Sequence, residues 1–234
     1  MNICVIGSSH VAALKAAWDN EAAAWPVRMT FFAAPGGIAS KVKSSEGIIC
    51  STDNRLKEFW KKTSGGEEKV NLRRYDALVI VGLQFSFPLL RAGLSRQVRE
   101  VLISDVFCFS KTFSFISMVR KSFSGPIVVC PRPLYPEGSK AATREDLVES
   151  FDDTLEALEE EGSGLQILFT PPPLKALSTD RRFTRPEYLS GAPSLKGGEF
   201  NADKDFDREA HANEAYGSLV LREIFEKLGI SQID

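Results

Sequence analysis

Ile3-Cys4-Val5-Ile6-Gly7-Ser8-Ser9-His10 is a short apolar run that stops abruptly in small and polar residues. Four consecutive apolar residues without polar alternation predict a strand buried on both faces, as in a parallel sheet. The pattern that follows is helical: Val11, Leu14, Trp18, Ala22 and Trp25 recur near the 3.6-residue period. A strand, a glycine-serine turn and a helix form the opening unit of an alternating α/β fold. The turn lies at the carboxyl end of the strand, where ligands bind in open parallel sheets.

Working outward, the same unit recurs. Strand-like runs are expected at Val27–Phe32, Ala77–Val81, Ile127–Cys130 and Leu165–Phe169, each short and apolar. Helical stretches are expected at Arg55–Lys62, stopped by Gly65-Gly66, and at Leu94–Ile103 and Thr112–Phe123. A longer one, Thr143–Glu161, opens on a capping-box-like Thr143 and Asp146, and the last runs from about Asn213 to Leu228. Strands alternating with helices predict a three-layer α/β/α sandwich around a central five-stranded parallel sheet. No internal repeat and no linker divides the chain, so residues 1–234 are expected to form one domain. Two segments fit the alternation poorly. Ile38–Tyr75 is expected to be loop-rich and basic, and Pro171–Asp207 to be a long, proline-rich ordered loop of the kind that carries function.

Composition narrows the function classes. The 234 residues are 43% hydrophobic and 26% charged, as in ordinary globular proteins, which disfavours disordered and fibrous classes. A net charge of -2 gives no basic footprint, so no nucleic-acid partner is expected. No apolar run is long enough to span a bilayer. The first residues hold neither a basic segment nor a long apolar stretch, so they are expected to open the fold rather than to form a secretory signal. Cys4, Cys50, Cys108 and Cys130 make no Cys-x-x-Cys pair, so free buried thiols and a cytoplasmic location are expected, and no metal. His10 and His211 are the only histidines, so any histidine-dependent chemistry uses one of them.

The segments after the strands supply the candidate site. They are Gly7-Ser8-Ser9-His10, then Ala33-Ala34-Pro35-Gly36-Gly37, then Gly82-Leu83-Gln84, then Pro131-Arg132-Pro133. Asp207-Arg208-Glu209-Ala210-His211-Ala212-Asn213 leads into the last helix. A serine becomes a useful nucleophile only beside a base, usually a histidine that a third group orients. Backbone N–H groups at Gly36 or Gly37, and an amide at Gln84, are of the type that stabilises an oxyanion. Serine, histidine, carboxylate and oxyanion donors together make an acyl-transfer site.

In the order of these blocks the chain resembles the SGNH hydrolases, the GDSL-type esterase and lipase superfamily. Gly7-Ser8-Ser9 matches the first block, Gly36 or Gly37 the second, Gly82-Leu83-Gln84 the third, and His211, Asn213, Tyr216 and Gly217 the last. Ser8 stands where the family has aspartate, Gln84 where it has asparagine, and Arg208 where its acid would fall. The resemblance implies a flavodoxin-like sheet and a serine-dependent ester hydrolase, such as a carbohydrate O-acetylesterase, working through an acyl-enzyme without a cofactor. It implies Ser9 as nucleophile, His211 as base and Asp207 as the orienting acid. The oxyanion donors would be the Ser9 N–H, Gly36 or Gly37, and Gln84. His10, Arg132 and Asn213 are expected to meet the substrate, a small-molecule or glycan ester. Two alternatives of the same fold are a weakened relative that binds a carbohydrate or other polar ligand, and an acyltransferase. A third reading, a phosphate cradle at Gly7-Ser8-Ser9, lacks any Gly-x-Gly-x-x-Gly or Gly-Lys-Ser/Thr signature.

Overall fold

The computed structural model describes residues 1–35, 41–88, 90, 93–139, 151–194, 201–202 and 211–233; the side chains of Gln84, Ser194, Asn201 and Ala202 lie outside the description. Its strands are β1 (Asn2–Gly7), β2 (Arg28–Ala33), β3 (Val42–Ser45), β4 (Ile48–Ser51), β5 (Val70–Asn71), β6 (Ala77–Ser86), β7 (Ile127–Arg132), β8 (Ile167–Phe169), β9 (Pro193–Ser194) and β10 (Asn201–Ala202). Its helices are α1 (Val11–Glu21), α2 (Asn54–Ser64), α3 (Arg96–Phe109), α4 (Lys111–Arg120), α5 (Phe151–Gly162) and α6 (Glu214–Lys227).

The central sheet has the order β2-β1-β6-β7-β8, with every neighbouring pair parallel. This is the doubly wound order in which the chain changes direction between the first strand and the third strand of the sheet, here β1 and β6. The crevice above that switch point is therefore flanked by the segment after β1.

Side-chain alternation explains why the strands read as continuous apolar runs. Ile3 and Val5 pack on one side with Val11, Leu14, Trp18, Leu221, Ile224 and Phe225 of α1 and α6. Cys4 and Ile6 pack on the other with Trp60 of α2, Phe113 and Ile116 of α4, and Leu158 of α5. Both faces are covered, which is the three-layer arrangement expected of a buried parallel sheet. The helices start where short polar side chains supply the missing acceptors. Asp53 accepts from Leu56 N–H, Ser95 from Val98 N–H, Ser110 from Thr112 N–H and Asn213 from Tyr216 N–H. Gly65, at φ +82°, ends α2 in the left-handed conformation that glycine adopts without penalty.

Three expectations are corrected. The basic stretch holds a small antiparallel sheet, β3-β4-β5, in addition to α2. Its strands are too short, and Lys43, Ser44 and Ser45 too polar, to show an apolar pattern; a Glu46-Gly47 turn with both residues at positive φ closes the first hairpin. β6 does not stop at Val81 but continues to Ser86 through a register shift, so Gly82-Leu83-Gln84 lies inside the strand. All four cysteines are free, yet only Cys4 and Cys130 are buried; Cys50 and Cys108 are exposed. The capping pair expected at Thr143 and Asp146 falls outside the described residues. No single helix among the described residues is long and apolar enough to cross a membrane.

Candidate active site

The turn after β1 is shaped by one missing side chain. A Cβ at Gly7 would stand 2.3 Å from the Val81 carbonyl oxygen and 2.4 Å from Val11 Cγ2. Only glycine lets β1 lie this close to β6 while α1 begins at once. The turn is held by Val11 N–H donating to the Ser8 carbonyl and Ala12 N–H to the Ser9 carbonyl.

The two serines point to different partners. Neither caps α1: the N-cap position belongs to His10, and that helix has no side-chain cap. Ser8 is buried, and its hydroxyl donates to the Gly82 carbonyl at 2.8 Å, tying the turn to β6. Ser9 is half-buried, and its Oγ lies 2.8 Å from His211 Nε2 across 202 residues of sequence.

His211 reaches Ser9 because α6 is docked against α1. Gly217 makes that approach close, since a Cβ there would meet the Ala13 carbonyl oxygen at 2.1 Å. Asn213 anchors the segment from the other side. Its Oδ1 accepts from Tyr216 N–H, and its Nδ2 donates to the carbonyls of Glu187 and Ser190 at 2.7 and 3.0 Å. Asn213, expected to meet a substrate, thus has both ends of its amide engaged in the fold.

His10 is also drawn into the site. Its ring stacks on His211 with centroids 4.8 Å apart and planes inclined by 19°. His10 Nδ1 is enclosed, without a hydrogen-bond partner among the described residues. Burial, helped by the positive charges that His211 and Arg132 can bring, holds its pKa down to about 3, so His10 is a neutral imidazole at ordinary pH.

Arg132 closes β7 half-buried, and its Nε and Nη2 both donate to Ser86 Oγ at the end of β6. It has no carboxylate partner among the described residues. Gly36, Gly37 and Asp207 lie outside the described residues, and of Gln84 only its backbone place in β6 is described. No group of three or more metal-binding side chains occurs among the described residues. A groove of about 600 Å³ opens beside Asn213, lined by Glu21, Tyr188, Ser190, Ser218 and Arg222 among others, and contains neither Ser9 nor His211.

Sequence reading named Ser9, His211, His10 and Arg132, and the fold brings Ser9, His10 and His211 together, with Arg132 close enough for its charge to be felt at His10. It gave no role to Ser86, and it did not find the seat that Gly82 makes for His10. Both depend on the register shift in β6, which leaves no mark in apolar periodicity.

Comparison of the sequence with protein-family models and with curated proteins finds no match. Among solved structures, the chain is similar to the crystal structure of a candidate acylhydrolase from Bacteroides fragilis. The likeness has a TM-score of 0.47 and 9% sequence identity over 97% of this chain and 86% of that one. Likeness at that level transfers neither chemistry nor residue roles.

Proposed function

We propose that the chain is a serine-dependent ester hydrolase built as one SGNH-hydrolase-like domain. The observation that carries this reading is the 2.8 Å approach of His211 Nε2 to Ser9 Oγ at the carboxyl end of β1. A hydroxyl at that distance from an imidazole nitrogen is within reach of general-base activation.

In this mechanism neutral His211 carries its proton on Nδ1, and the Ser9 hydroxyl donates to Nε2. Ser9 Oγ attacks the ester carbonyl carbon while its proton passes to Nε2. The tetrahedral oxyanion is met by the Ser9 N–H, with the Gly36 or Gly37 N–H and the Gln84 amide as the further donors that the sequence assigns. Collapse breaks the bond to the alcohol, whose oxygen takes the proton back from His211. A water then repeats the sequence on the acyl-enzyme and releases the acid and free Ser9. Asp207 is assigned to orient His211. Arg132, at the end of β7, offers a positive charge to the polar part of the substrate. The substrate class is a small-molecule or glycan ester, with O-acetyl groups the simplest case.

Hydrolysis of 4-nitrophenyl acetate tests the assignment. Wild type is expected to turn the ester over, and Ser9→Ala and His211→Ala are each expected to lower kcat by about 10³-fold or more, as when a triad member is removed. Turnover retained in both variants would sink the mechanism.

A further inference from the structure

Both histidines of the chain meet at one point, and only one of them is needed as a base. The hydrogen bond between Ser9 Oγ and His211 Nε2 holds the His211 ring at Nε2. Tilting about that atom would carry the imidazole out of the plane in which it accepts a proton. The face-on contact with His10, 4.8 Å between centroids and 19° between planes, opposes that tilt. Ser9 and His10 thus both bear on His211, one through its hydroxyl and the next in sequence through its ring. Nucleophile and ring support move together because both belong to the turn that starts α1.

His10 is itself held from behind. Gly82 has φ +60°, and a Cβ at this position would stand 2.8 Å from His10 Cδ2 and 3.0 Å from His10 Cβ. The His10 ring therefore lies against bare backbone, where any other residue would press on it. The same peptide is locked to the turn by the Ser8 hydroxyl on the Gly82 carbonyl. Among the described residues, the chargeable groups that act on His10 are His211 and Arg132. A ring that stays uncharged can lie against the imidazolium that His211 becomes without like-charge repulsion.

We infer that His10 is a positioning residue, clamped between the Gly82 backbone and the His211 ring, and that it holds the base in the plane of the Ser9 hydroxyl. The inference rests on the Ser9–His211 reading above and assigns His10 no proton transfer. It also gives Gly82 a definite duty, to leave room for the ring.

The test replaces His10 by Leu, which fills similar space without a flat ring, and by Phe, which keeps one. The readouts are the second-order rate of labelling by a fluorophosphonate, and kcat and KM for 4-nitrophenyl acetate, on variants whose fold is verified by circular dichroism. His10→Leu is expected to lower the labelling rate and kcat by about 10- to 100-fold, the scale of a misplaced catalytic group. KM should stay within about twofold, because ground-state binding is untouched. His10→Phe is expected to recover most of that loss. Should His10→Leu fold poorly, His10→Met serves in its place with the same expected fall. A ringless variant that labels at the wild-type rate, or a Phe variant as slow as it, overturns the inference alone. A folded wild type that takes no label overturns the Ser9 reading and this inference with it.

Discussion

Ser8 and Ser9 are chemically identical neighbours with different tasks. Ser8 turns inward to the Gly82 carbonyl, whereas Ser9 faces His211. The sequence marks both equally, and the difference comes from which side of the turn each occupies. The sequence led to the expectation that His10 meets the substrate, but its place against Gly82 was not legible, because that seat depends on the conformation of Gly82. Its burial has a consequence for stability. The ordinary His10 pKa is 6.5, and in the folded protein it is about 3. Between those values the unfolded chain binds a proton that the folded protein does not. Stability from this residue is therefore complete above pH 6.5 and is lost as pH falls from 6.5 toward 3, by at most about 1.4 kcal/mol per pH unit. Urea unfolding at pH 7 and pH 5 should show wild type losing more stability than His10→Phe over that interval. Equal losses in the two proteins would show that His10 is not held neutral by the fold.

At the scale of elements, the site depends on one helix pair. α1 begins beside Ser9, and α6 begins just after His211, so the distance between the proposed nucleophile and base is set by how closely the two helices pack. Gly217 sets that closeness, and Leu14, Leu221 and Phe225 bury the seam around it. Gly217→Ala places a methyl group where the Ala13 carbonyl oxygen already lies. The expected outcome is a loss of about 1–3 kcal/mol in denaturant unfolding, as for other overpacked contacts, together with slower labelling of Ser9. Unchanged stability with unchanged labelling would mean that α1 and α6 do not control the site. Helix α1 was legible from its 3.6-residue spacing, and α6, expected from about Asn213 to Leu228, runs from Glu214 to Lys227. What spacing could not give was the partner of α6. Helix α3 was also underestimated: expected to stop near Ile103, it continues to Phe109, because Ser110 rather than an apolar boundary ends it and starts α4.

For the whole molecule, five apolar strand runs were enough to specify the layers, because a strand buried on both faces cannot alternate. The order β2-β1-β6-β7-β8 then places the turns after β1 and β6 side by side. Shorter strands escaped notice: β3, β4 and β5, of which only β4 holds as many as three apolar residues in a row, form a small sheet from residues that read as a basic loop. The candidate site was legible to the extent that it sits at strand ends, as Ser9 does, or at a helix entrance, as His211 does. It was not legible where it depends on a register shift inside β6, as at Gly82 and Ser86. The central claim is that this topology activates Ser9. Intact-mass analysis after fluorophosphonate treatment of wild type, Ser9→Ala and His211→Ala tests it most directly. The expected result is a single adduct on wild type, none on Ser9→Ala, and labelling slowed by about 10³-fold or more on His211→Ala. A folded wild type that takes no adduct, or an adduct that survives in Ser9→Ala, would contradict it.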